Sequence, residues 1–468
     1  MQLVYNVKDK PPFLKMVVFA LQQVLAILAA TIAVPTIIGN GMSQSAALFG
    51  AGVGTLVYQL FTKFKSPVFL GSSFAFIGSM LAAFAGAASA QAGFTGILLG
   101  AIFAGLVYVV LAIIIKFFGV KWINKVMPAV VIGPTVAIIG LSLAGNAIGD
   151  LTKGSVMKAV QNIVLSFESG TPEIVAQTSF VPVASPYLAL LCGLVTLFTV
   201  IACSVYGKKM VKMIPFIIGI VAGYTLAAIL TGIGYAADVD AMKIIDFTKF
   251  KNMQWYPDFT FIEAFKGFKD IDGAFIGTIF VAYAPVAFVV FAEHIADHKN
   301  LSSIIGQDLT EDPGLANTLL GDGIGSIAGA VFGGCPNTTY GESVGCVAIS
   351  GCASVAVITT TAIIAILASF VAPFVTFLAT IPSCVMGGVC VSLYGFIAVS
   401  GLKMVQKVDL GDNRNLFVVS VILIAGIGGL SVTFGKVTIT TIACALILGI
   451  LTNVLCSFGK KKEEKTEE

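Results

Sequence analysis

Predominantly apolar stretches of about 20 residues recur from one end of this chain to the other, and no other feature constrains its fold as strongly. As a helix, each stretch is long enough to cross a hydrocarbon layer roughly 30 Å thick. Charged residues fill only 11% of the 468 positions and mean hydropathy is +0.98. A soluble domain carries roughly 25% charge. The chain is therefore read as an all-α polytopic membrane protein. Its polar residues 1–12 lead straight into an apolar run with no small-residue cleavage site, so no removable leader is expected.

Runs near 13–39, 44–62, 67–86, 93–118, 126–145, 184–205 and 213–235 give seven spans. Seven more follow near 272–296, 315–333, 337–353, 355–379, 383–401, 416–431 and 435–457. Fourteen crossings place both termini on one side. Nineteen of the 27 lysines and arginines then share that side, among them Lys8, Lys15, Lys63, Lys65, Lys121, Lys125, Lys208, Lys209, Lys212, Lys299, Lys403, Arg414 and Lys465. Lys153, Lys158, Lys243, Lys249, Lys251, Lys266, Lys269 and Lys436 fall on the other, mostly in two long loops near 146–183 and 236–271. The positive-inside rule puts both termini in the cytoplasm.

The chain divides into residues 1–235, a loop at 236–271, residues 272–457 and a charged tail at 458–468. An odd number of spans per half orients the two halves oppositely, as inverted repeats. The fifth span opens Met-Pro-Ala-Val-Val-Ile-Gly at 127–133, and the twelfth opens Ile-Pro-Ser-Cys-Val-Met-Gly at 381–387. Pro128 and Pro382 share one register, as do Gly133 and Gly387.

Two spans are interrupted. Residues 333–345 read Gly-Gly-Cys-Pro-Asn-Thr-Thr-Tyr-Gly-Glu-Ser-Val-Gly, and their counterpart at 66–76 reads Ser-Pro-Val-Phe-Leu-Gly-Ser-Ser-Phe-Ala-Phe. Each could be a plain loop. In a membrane, however, irregular backbone persists only where protein or a watery cavity satisfies its N–H and C=O groups. Short extended runs in spans 3 and 10, paired with each other, would do so. Each following half-helix would then aim its N-terminal N–H groups at a common point near the midplane.

Acids at membrane depth are few. Glu293 and Asp297 share one helical face in Phe-Ala-Glu-His-Ile-Ala-Asp-His, and Glu342 lies in the tenth span. Glu293 and Asp297 could instead mark a helix end reaching water. Asp322, in Gly-Asp-Gly, reads as a helix start, and His294 and His298 read as residues of the cytoplasmic rim. No cation stands within the spans to neutralise Glu293 or Glu342. Carboxylates beside fixed backbone donors suit a neutral ring alternating N–H and C=O; anions fit badly. The nine cysteines lie mainly in apolar runs without a Cys-x-x-Cys pair, so neither disulfides nor a metal site is expected. No nucleophile–base constellation suggests an enzyme.

The chain resembles the nucleobase–ascorbate transporters (nucleobase:cation symporter-2), and among them the bacterial uracil permeases. The resemblance runs nearly end to end. It rests on Gly-Ser-Ser-Phe-Ala-Phe (71–76), Ala-Glu-His-Ile (292–295), Asp-Pro-Gly-Leu (312–315), Pro-Asn-Thr-Thr-Tyr-Gly-Glu (336–342) and Leu-Tyr-Gly (393–395). It implies fourteen spans split into core and gate domains, and proton-coupled uracil import across a bacterial cytoplasmic membrane. A homodimer without cofactor or nucleic-acid partner is also implied. By resemblance, Glu293 and Glu342 accept hydrogen bonds from the ring, and the N–H groups of Phe74 and Gly341 donate to its carbonyls. Tyr394 approaches from the gate, and Glu293 with Asp297 carries the coupling proton. Ser73, Tyr340, Ser343 and Gln22 are secondary candidates. Ser343 and Ser350 replace the asparagine and threonine of the family signature. Gln22-Gln23 stands where Gln-His is usual, and Asp297 where some relatives carry histidine. A purine (xanthine or uric acid) permease of the same family and an anion channel or exchanger of similar architecture are the alternative readings.

Overall fold

The computed structural model describes residues 3–119, 128–166, 173–208, 210–253, 255–434 and 437–463. Lys121, Lys125, Met127, Lys209, Lys436 and Lys465, used in the charge and repeat arguments, lie outside them. Helices α1 (Phe13–Ile38) and α2 (Gln44–Phe61) come first, then strand β1 (Leu70–Ser72), α3 (Ile77–Ala85) and α4 (Ala90–Phe118). Next are α5 (Ala129–Ser142), α6 (Ala144–Asp150), the hairpin β2 (Met157–Ser166) and β3 (Glu173–Pro182), α7 (Pro186–Tyr206), α8 (Pro215–Ala236) and the short α9 (Thr260–Gly267). Then follow α10 (Gly273–Ile305), α11 (Leu315–Gly333), β4 (Asn337–Thr339), α12 (Gly341–Ser350), α13 (Val355–Ala368), α14 (Ala372–Thr380) and α15 (Ser383–Val405). The chain closes with α16 (Asn413–Ile427), β5 (Val432–Phe434), β6 (Val437–Ile439) and α17 (Thr441–Glu463). Among the described residues, eight helical stretches are long and apolar enough to cross a membrane, and the pair α13–α14, bent by 84°, makes a ninth.

Three features depart from the sequence reading. The loop near 146–183 holds the β2–β3 hairpin, and that near 236–271 holds α9. The run 355–379 is broken at Ser369–Val371 rather than continuous.

Small residues decide how closely the helices pack. A Cβ at Gly50 would meet the backbone of Gly329 and Gly333, and one at Gly54 the carbonyl of Gly325. Thus α2 and α11 approach nearly backbone to backbone, which is how helices associate where no hydrophobic force separates protein from lipid. Asn337 fills the notch between Gly54 and Gly329, its Nδ2 donating to the Gly50 carbonyl at 2.9 Å. Elsewhere α5 packs on α15, with Pro128 and Pro382 as their N-caps. Gly133 lies against Gly401 and Val405 of α15, while Gly387 lies against Ala147 and Leu151 at the end of α6. One constant shift along the chain carries Gly133 onto Gly387, Ala147 onto Gly401 and Leu151 onto Val405. The contact is reciprocal.

The two interrupted stretches meet. β1 and β4 pair antiparallel in the register Leu70–Thr339, Gly71–Thr338 and Ser72–Asn337. Around this three-residue ladder, Ser73 N–H donates to the Pro336 carbonyl (2.9 Å) and Tyr340 N–H to that of Phe69 (3.2 Å). On the outer edge of β1, Leu70 N–H donates to Thr55 Oγ1 at 2.9 Å. The Tyr340 ring lies over Gly71, where any side chain would collide with it, and its hydroxyl donates to the Ser72 carbonyl at 2.8 Å. Backbone that lipid could not satisfy finds partners within the protein.

Candidate functional site

The site grows from this crossing. Beyond β1 the chain turns at Phe74–Phe76 into α3, and beyond β4 it enters α12 at Gly341. The first-turn N–H groups of a helix have no intrahelical acceptor, so both half-helices present donors at the crossing. Ser343 ties the pieces together. Its Oγ accepts from Gln23 Nε2 of α1 (2.5 Å) and from Phe69 N–H (3.3 Å), and Gln23 Nε2 also reaches the Ser343 carbonyl at 3.2 Å.

Facing the crossing is α10. Its first turn is capped by Asp272, which accepts from Phe275 N–H at 2.7 Å. One face of α10 carries Glu293 and Asp297 toward a cavity of about 410 Å³, also lined by Gly341, Glu342 and Gly345 of α12. Val136 of α5 and Leu393, Phe396, Ile397, Ser400 and Met404 of α15 form the facing wall. A recess of about 50 Å³ lies next to it. Ser73, Phe74, Ala75, Thr338, Thr339 and Tyr340 line this recess, and Glu293, Gly341, Glu342, Leu393 and Ile397 are common to both spaces. Asp297 accepts a hydrogen bond from the Thr339 hydroxyl at 2.9 Å. Three carboxyl groups, two helix starts and an apolar wall therefore converge on one continuous space. Its size is in the range of sites for small organic molecules.

The other face of α10 corrects the reading of its histidines. His294 and His298 are not rim residues; both are fully buried. Asp322 does not begin a helix either, since it lies buried within α11. Thr318 Oγ1 lies 3.0 Å from His294 Nε2 and 3.0 Å from the Leu315 carbonyl. His294 Nδ1 meets Asp322 Oδ2 at 2.8 Å. His298 Nδ1 donates to the His294 carbonyl (2.8 Å), and its Nε2 meets the Tyr58 hydroxyl at 2.7 Å. The two rings stack with centroids 4.0 Å apart. These bonds fix the rotation of α10 and hence the face that Glu293 and Asp297 present.

Two further observations concern the wall and the mouth. Tyr394 lines neither space. Its ring meets Phe74 edge-on at 5.9 Å, and it borders a separate void of about 130 Å³ beside Gly140 and Ala147. Because α15 is helical, the residues one before and three after it, Leu393 and Ile397, face the acids instead. No cation was expected within the spans; Lys212, from the link between α7 and α8 outside them, nevertheless lines the larger cavity. In the sequence Lys212 is one of a cluster of loop lysines, and nothing local separates it from its neighbours. Gln22 is buried on α1 beside Gln23, and Ser343 is buried at the crossing.

Residues 14–435 match a profile described as the permease family. The chain is 35% identical over 467 residues to the uracil permease of Bacillus subtilis (strain 168), covering 99% of this chain and 97% of that one. It is 36% identical over 457 residues to the uracil permease of Bacillus caldolyticus, covering 97% and 94%. To the uracil permease of Escherichia coli (strain K12) it is 32% identical over 448 residues, covering 95% and 92%. Among solved structures, the murine Solute Carrier 26 family member A9 anion transporter in the inward-facing state aligns with a TM-score of 0.64 at 12% identity, over 97% of this chain and 69% of that one. The transmembrane domain of the cyanobacterium bicarbonate transporter BicA aligns at 0.59 with 14% identity, over 97% and 100%. At such identities the likeness is one of fold.

Proposed function

The chain belongs to the permease family of nucleobase–ascorbate transporters, and from that premise we propose that it carries uracil across a bacterial cytoplasmic membrane together with a proton. The observation that carries the proposal is the convergence of Glu293, Glu342 and two helix starts on the recess at the β1–β4 crossing. In this reading Glu293 and Glu342 accept hydrogen bonds from the ring N–H groups. The backbone N–H groups of Phe74 and Gly341 donate to ring carbonyls, while Leu393 and Ile397 cover an apolar edge. Glu293 and Asp297 take up the coupling proton, because an acid facing a substrate in an apolar setting holds charge only at a cost. Fourteen crossings in two inverted repeats, both termini cytoplasmic, and a homodimer complete the proposal. The reciprocal α5–α15 contacts and the shared proline caps support the repeats. The core would contain the crossing with α10, and the gate α5 and α15. Movement of one against the other would expose the recess to each side in turn.

A specific observation favours one second reading, anion exchange: the cation Lys212 stands at the cavity. Three carboxyl groups in the same cavity oppose it. Uptake of labelled uracil into proteoliposomes distinguishes the readings. The proposal expects uptake that rises when the outside is more acidic, collapses with a protonophore and is lost in Glu342→Ala and Glu293→Ala. Excess xanthine should not compete. Uracil-independent anion flux, with no uracil uptake, would refute it.

A further inference from the structure

The segment 255–270, on the face opposite the N-terminal segment, takes no part in the site. We propose that it is an interfacial anchor, seated in the boundary between headgroups and acyl chains of the adjoining bilayer leaflet. Helix α9 divides into three sides at about 100° per residue. Thr260, Ala264 and Gly267 form the buried side. It rests on α4, where Thr95 Oγ1 donates to the Ala264 carbonyl at 2.7 Å and Gly267 leaves room for the Gln91 backbone. Phe261, Phe265 and Phe268 occupy one flank, and Phe265 is 66% exposed. Glu263 and Lys266, an ion pair at 2.5 Å, occupy the other. A helix lying in water has no use for an aromatic flank set at right angles to its packed side. A helix lying along a bilayer surface needs this partition: protein beneath, lipid to one side, water to the other.

The surroundings continue the pattern. Trp255 and Tyr256, just before α9, are 62% and 65% exposed, and such rings with polar tips gather at membrane–water boundaries. Phe259, Phe261, Phe265 and Phe268 form a ladder with successive ring centroids 5.9, 6.4 and 6.0 Å apart. That ladder joins Phe332 at the end of α11 and, through Phe49 of α2, Phe370 at the α13–α14 bend. Exposed Ile276 and Phe280 extend the apolar surface down α10. The anchor is thus continuous with the outward surface of the spans and grips α4 and α11, which pack around the crossing.

The chain has two tryptophans, so Trp122→Phe leaves Trp255 as its only tryptophan reporter. The variant is reconstituted into phosphatidylcholine vesicles brominated either near the headgroup or near the acyl-chain end. For a ring about 5–10 Å deep, the shallow bromines should quench more than the deep ones, and aqueous acrylamide should quench weakly. Adding Phe265→Asp and Phe268→Asp should abolish lipid quenching and restore acrylamide quenching. Strong acrylamide quenching with no lipid quenching in Trp122→Phe alone would overturn the proposal by placing the segment in water. Shielding from both quenchers would overturn it in favour of a second protein copy. Both outcomes are read from Trp122→Phe alone, so they hold even if the aspartate variants do not fold.

Discussion

Both ring nitrogens of His294 are committed, one to Asp322 and one to Thr318, in a place no water reaches. Removing the carboxyl strands Nδ1, and an unsatisfied buried polar group costs about 1–3 kcal/mol. Asp322→Ala should therefore lower the melting temperature of the purified protein. Asp322→Asn, whose amide can still hydrogen-bond Nδ1, should lower it less. Equal shifts would mean that the pair does not orient α10. None of this was legible locally: Glu-His-Ile-Ala-Asp-His closes an apolar run and reads as a helix reaching water. Helix α10 instead continues to Ile305, which keeps both histidines inside, and Asp322 is supplied by another helix. The acids of the site were legible, because an unneutralised Glu293 or Glu342 in an apolar run has few other uses. That Tyr394 lies against the Phe74 ring and not along either space could not be read from the motif, which names a residue without fixing which way its helix is turned.

At the level of elements, Pro67 and Pro336 with their glycines and hydroxyls announced two breaks, since neither run could be a continuous lipid-facing helix. Their seating was less visible. It depends on Asn337 entering a notch that exists only because Gly54 and Gly329 lack side chains. Gly54→Leu should unseat β4, removing uracil binding and reducing the yield of folded protein. Gly232→Ala, at a position with open space, should change neither. Ligand-stabilised melting curves of both variants check this. Ser343→Ala should act more mildly, since it removes the side-chain oxygen that joins Gln23 and Phe69. One such hydrogen bond contributes about 0.5–1.5 kcal/mol, so a fall in uracil affinity of about threefold to tenfold is expected. Helix α9 and the bend at Ser369–Val371 went unread because long loops and long apolar runs carry no obvious internal punctuation.

The whole molecule places the recess between the crossing and the wall formed by α5 and α15, with the larger cavity beside it. Cys346 lines that cavity. In a variant keeping Cys346 as its sole cysteine, a small maleimide should react and block uptake, and saturating uracil should slow the reaction. Labelling at an unchanged rate with uracil present would detach the cavity from the pathway. The repeat itself was legible in the echo of Pro128 and Gly133 at Pro382 and Gly387. What the sequence could not display is that these related helices pack on each other. The most direct test of the whole account is equilibrium binding of labelled uracil to the purified protein and to its Glu293→Gln and Glu342→Gln variants, with folding followed by melting temperature. Loss of a charge-assisted hydrogen bond predicts affinity about 10- to 100-fold weaker in each variant, with the fold intact. Unchanged affinity in both would contradict the claim that these two acids, at the meeting of two broken helices, recognise the ring.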